Sequence, residues 1–82
     1  MRTRDQRLVL MILDRGANIP VHHTDAALTI EALDGRVIVS MFESSFDLGP
    51  GQLLAIERDV PHGVVAIEDS AVLLTLAWRG RD

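Results

Sequence analysis

Ala27-Leu28-Thr29-Ile30-Glu31-Ala32-Leu33-Asp34-Gly35-Arg36-Val37-Ile38-Val39-Ser40-Met41-Phe42 is two short β-rich runs joined by an aspartate and a glycine. In an extended strand alternate residues share a face, so Leu28 and Ile30 look one way and Glu31 the other. Val37, Val39 and Met41 likewise share a face. Asp-Gly between two such runs is the strongest short-range hairpin signal, because glycine takes positive φ at little steric cost. The stretch therefore predicts a hairpin of Ala27–Leu33 with Arg36–Phe42, and with it an all-β chain.

Outward from this stretch, short apolar runs keep alternating with turn residues. Further strands are expected near Leu8–Leu13, Ile19–Thr24, Gln52–Glu57, His62–Ile67 and Ala71–Trp78. Asp14-Arg15-Gly16 and Gly49-Pro50-Gly51 are turn signals, and Glu43 to Asp47 reads as a second hairpin without a glycine. No segment repeats apolar residues at helical spacing over a dozen positions. Seven or eight antiparallel strands with turns this close fit a sandwich or small closed barrel.

The chain has 82 residues, room for one domain, with the barrel expected over about residues 8–78. Aromatic residues are 4% of it against 48% hydrophobic residues in all, so the core must be aliphatic. The absence of cysteine excludes disulfides and thiolate chemistry. All 8 basic residues are arginine, which excludes a lysine Schiff base, and there is no tyrosine to act as acid or base. A net charge of −4, with Arg2, Arg4 and Arg7 interrupted by Asp5, argues against a nucleic-acid partner. Leu8–Leu13 is too short to span a membrane or form a signal sequence core, so a soluble cytoplasmic protein is expected.

Two runs break the alternation. Leu8-Val9-Leu10-Met11-Ile12-Leu13 and Ala71-Val72-Leu73-Leu74 are apolar at every step, so both faces of those strands need cover. A barrel interior covers one face. A homodimer is the simplest cover for the other; the competing expectation is that the terminal strands close over each other within one chain.

Strand parity also sorts the histidines. His22 shares a face with Pro20 and Thr24, while His23 points the other way. His62, after Pro61, opens another strand from which it can enter the same cavity as His22. Asp59 is either an orienting carboxylate for His62 or a solvated loop residue beside Arg58. Phe42 and Phe46 flank the second hairpin and are expected to staple its turn, with capping the barrel mouth or meeting a partner as the alternatives, and Trp78 is expected to cover a barrel end or dimer seam. The serines lack the glycine context of a nucleophile elbow.

At these residues the chain resembles the cupin family, from Gly16 to Trp78. The family's first motif is a glycine, five residues, His-x-His, three or four residues, a glutamate, six residues and a glycine. Gly16, His22 and Gly35 keep that frame, while Thr24 stands at the second histidine and Leu28 at the glutamate. The second motif is a glycine, five residues, Pro-x-Gly, two residues, a histidine, three residues and an asparagine. Gly51 and His62 keep it; Glu57, Asp59 and Ala66 replace the rest. The resemblance implies a small RmlC-like jelly roll. Since many small cupins begin further upstream, it also raises the expectation that this chain is a trimmed form of a longer one.

Metal-dependent cupins hold iron, manganese, nickel or zinc through three histidines and a glutamate, for dioxygenase, isomerase or decarboxylase chemistry. Two of those four positions survive here, as His22 and His62, with Gln52 or Glu57 as candidates for a third ligand; Glu31 faces away. A catalytic site of this kind ordinarily uses about three protein ligands. The preferred expectation is therefore a mostly apolar pocket, lined by His22, Thr24, Leu28, Met41 and His62, that binds a small organic ligand. The alternative is a metal-dependent enzyme with a reduced two-histidine set. A metal-free histidine acid or base and a purely structural dimer are also open.

Overall fold

The computed structural model describes residues 6–78. All regular structure in that range is β: β1 Gln6–Leu13, β2 Asn18–His22, β3 Ala27–Asp34, β4 Val37–Met41, β5 Ser44–Leu48, β6 Leu53–Ile56, β7 His62–Ala66 and β8 Ser70–Ala77. They form two 4-stranded antiparallel sheets, ordered β1-β8-β3-β6 and β2-β7-β4-β5. Among the described residues no helix is long and apolar enough to cross a membrane.

Strand pairing turns the sequence parity into faces. In the first sheet Val9, Leu74, Ile30 and Leu54 lie in one row across the strands, and Met11, Val72 and Ala32 in the next. These point inward. Ile19, Val64, Val39 and Phe46 form a row on the facing sheet, beside Val37, Ala66 and Leu48. The buried core is accordingly aliphatic, with Ile30, Val37, Val39 and Val72 among its largest fully buried side chains.

The rows between carry the residues that broke the alternation. Leu10, Leu73, Glu31 and Leu53 form one outer row, with Leu8, Thr75, Thr29 and Ala55 beside it. Leu10 is 60% exposed and Ile12 71%. β1 and β8 do pair, but side by side, so this covers neither strand's outer face.

The Asp34-Gly35 hairpin does not form. β3 bonds to β6 and β8, and β4 to β5 and β7, so the turn carries the chain from one sheet to the other. A bulge between Ala32 and Asp34 bends the end of β3. Beyond it the Arg36 amide donates to Ser70 Oγ at 3.0 Å, and that hydroxyl reaches the Glu68 carbonyl oxygen at 2.7 Å. Gly35 has φ 79°, and a Cβ there would run into the Asp69 carbonyl oxygen and the Ser70 hydroxyl. Asp-Gly thus reverses the chain here without pairing the strands it joins.

The glycine-free second hairpin is present. β4 and β5 pair from Val37–Leu48 to Met41–Ser44 around Phe42-Glu43, with Phe42 at φ 52°. Phe42 is 81% exposed, so it does not staple the turn.

Candidate functional site

β2 and β7 run antiparallel in the second sheet, and their register places His22 directly opposite His62. The register shifts between Ile19 and His22, which lets the end of β2 turn its histidine toward the partner strand. The two ring centroids are 4.6 Å apart and the planes tilted by 55°. His62 is 2% exposed, whereas His22 is exposed, so the pair runs from the interior toward the mouth.

Each ring is held by the same local device. His22 Nδ1 lies 3.0 Å from the Pro20 carbonyl oxygen, and His62 Nδ1 lies 3.0 Å from the Val60 carbonyl oxygen. A carbonyl oxygen only accepts, so Nδ1 must carry the hydrogen in both rings. That fixes the tautomer of each neutral imidazole and leaves Nε2 with a bare lone pair. Among the described residues no protein group is bonded to either Nε2.

Both histidines line a cavity of about 180 Å³, with Thr24, Leu28, Ile30 and Met11 among its other walls. Thr24 Oγ1 accepts the Ala26 amide at 3.3 Å. Leu28, which stands at the glutamate position of the motif, is a buried aliphatic wall. Among the described residues no arginine, aspartate or glutamate lines the space.

Met41 is not part of it. It shares the inward face of Val37 and Val39, but sits at the far end of β4 and lines a separate recess with Phe42, Phe46, Glu57 and Val60. The two candidates for a third ligand are also elsewhere. Gln52 accepts the Gly49 amide through Oε1 at 2.8 Å, closing the turn before β6, and Glu57 lies exposed on that separate recess. Asp59 is 3.9 Å from His23 rather than bonded to His62, and its amide donates to the Thr24 carbonyl. Trp78 donates its indole N–H to Asp25 at 2.8 Å.

The residues present do not complete a catalytic metal set. Two imidazoles with bare Nε2 atoms suit a divalent ion, but Thr24 and Leu28 offer no nitrogen or carboxylate. Among the described residues no group of three or more His, Asp or Glu side chains could hold an ion.

Parity on β2 and the motif spacing pointed to His22, Thr24, Leu28 and His62. They did not point to Met11, Val72, Leu74 and Leu76, the walls supplied by the terminal strands. Those strands are apolar on both faces, so the alternation that would mark an inward residue is missing. Inwardness there is set by register.

No family model and no curated protein matches the sequence. Solved structures do match the fold. KdgF from Halomonas sp. is 27% identical with a TM-score of 0.90, over 98% of this chain and 76% of that one. An RmlC-like cupin from Desulfovibrio desulfuricans is 26% identical with a TM-score of 0.85, over 94% and 76%. A cupin superfamily protein from Desulfitobacterium hafniense, 13% identical, superposes with a TM-score of 0.91 over 96% and 72%. The strand order, the glycine frame and this nearly full-length superposition agree, and the chain is a small cupin domain with the RmlC-like jelly-roll fold.

Proposed function

We propose that this domain binds a small, largely apolar organic molecule in the cavity beneath His22 and His62, and that it does so as a homodimer. The observation that carries the reading is the pair of tautomer-locked histidines, 4.6 Å apart, as the polar end of an otherwise aliphatic space. Small-molecule sites have this form: apolar walls that supply affinity and a few fixed polar atoms that set orientation.

A library of compact aromatic and aliphatic compounds, scored by the shift in melting temperature, tests it. A ligand that binds only the folded state at a hundred times its dissociation constant adds about 2.7 kcal/mol. Several degrees of stabilisation are expected for at least one compound, lost in His22→Ala and His62→Ala. A library without a single shift sinks the reading.

The two bare Nε2 atoms also favour a second reading, a metal-dependent enzyme with water or substrate completing the ligand set. It predicts near-stoichiometric metal in untagged protein loaded with Fe(II), Mn(II), Ni(II) or Zn(II), removed by either histidine substitution. Metal-free protein after loading would exclude it.

A further inference from the structure

We infer that the cavity selects an uncharged hydroxyl compound the size of one ring, a phenol or a compact alcohol, over an isosteric hydrocarbon and over a carboxylate. The inference rests on the reading of this cavity as a small-molecule site.

The polar atoms of the site define the complement. With both Nδ1–H groups tied to the Pro20 and Val60 carbonyl oxygens, the histidines offer acceptors only. The Thr24 hydroxyl already accepts from the Ala26 amide, so its own hydrogen is free to donate. A ligand hydroxyl matches that set, since its hydrogen goes to an imidazole Nε2 and its oxygen receives the Thr24 hydrogen. A methyl group in the same place leaves the Nε2 of buried His62 unpaired, which costs binding energy.

A carboxylate fares worse. It would bring two acceptor oxygens against two acceptor nitrogens, with no arginine among the described wall residues to balance its charge. An unpaired charge in an apolar space is strongly disfavoured.

Size sets the other limit. A dry cavity of ~150 Å³ is enough to take benzene. At about 180 Å³, this one has space for a single six-membered ring with one substituent.

Phenol, toluene and benzoate share the ring and differ at the substituent, so they are the probes, titrated into the full chain at pH 8. Phenol is expected to bind about tenfold more tightly than toluene, and benzoate at least tenfold more weakly than phenol. His62→Leu should bring phenol and toluene to parity while keeping toluene bound; His22→Leu serves if the buried substitution prevents folding. Nitrogen-15 spectra of labelled histidines read the tautomer directly, and are expected to show Nδ1 protonated and Nε2 bare, with Nε2 shifting when phenol is added.

Toluene bound as tightly as phenol, benzoate bound as tightly as either, or hydrogen on Nε2 in the free protein would each overturn the selection. In the first two cases the cavity would still be a binding site. If none of the three rings binds and the compound library is also silent, the site reading itself falls.

Discussion

Thr24 and Leu28 are the residues at which this cavity departs from a metal centre, and each can be reversed. Leu28 is buried in the wall of the cavity that both histidines line, so Leu28→Glu places a carboxylate in an aliphatic wall. Without a counterion that should cost roughly 3 kcal/mol or more. Combined with Thr24→His it rebuilds a three-histidine, one-carboxylate set. The double variant is expected to melt well below the parent when metal-free, and to regain that loss on taking up one equivalent of Zn(II) or Mn(II). Elemental analysis and melting curves with and without metal check it; a variant that stays metal-free would show that the His22–His62 geometry does not suit an ion. The placement of these two residues was legible because ligand spacing along a strand is a property of sequence. Met41 shows the limit. Its parity on β4 is as the pattern implies, yet its position along the strand sends it to another recess, and distance along a barrel axis is not encoded in alternation.

Turns separate the elements that the sequence made legible from those it did not. The second hairpin carries a bulky aromatic at φ 52° where such turns favour glycine. Phe42 is 81% exposed, so Phe42→Gly removes strain at the loss of only its place on the rim of the Met41 recess, and is expected to stabilise by about 1 kcal/mol. Denaturant titration measures it; a clear loss of stability would mean that Phe42 packs in solution. Gly35→Ala is expected to do the reverse, by at least ~2 kcal/mol, because the new methyl meets Asp69 and Ser70. The strands themselves follow from alternation and turn residues almost throughout. Asp34-Gly35 encodes a reversal but not a hairpin, because a dipeptide specifies backbone dihedrals and not hydrogen-bond partners. Whether two flanking strands pair or face each other is decided by what else competes for their edges, here β8 and β6 for β3, and β7 and β5 for β4.

The outer face of the β1-β8-β3-β6 sheet is where the whole molecule is least self-sufficient. Leu10, Ile12 and Leu53 stand exposed there, with Glu31 between them and Glu57 at the edge of the face beyond Ala55. At ~4.8 Å between strands and ~3.3 Å per residue the face covers about 500 Å². That is the scale of the roughly 800 Å² per partner in a standard interface. Light scattering on the eluting protein is expected to give twice the 9.0 kDa chain mass, and Leu10→Asp with Ile12→Asp to return the chain mass with the fold intact. A wild type that elutes at the chain mass at high concentration would remove the dimer. The pairing of β1 with β8 has a further consequence, in time rather than space. The first described strand finds its neighbour only after nearly all the intervening chain exists, so loop closure precedes any gain from that sheet. Refolding after a denaturant jump is expected on the millisecond-to-second scale of non-local β proteins, and a microsecond phase carrying the full amplitude would contradict it. On the ribosome, Leu8 to Leu13 must wait until their partners Ser70 to Thr75 have emerged, which makes this segment the natural point of capture for a chaperone or for another nascent copy.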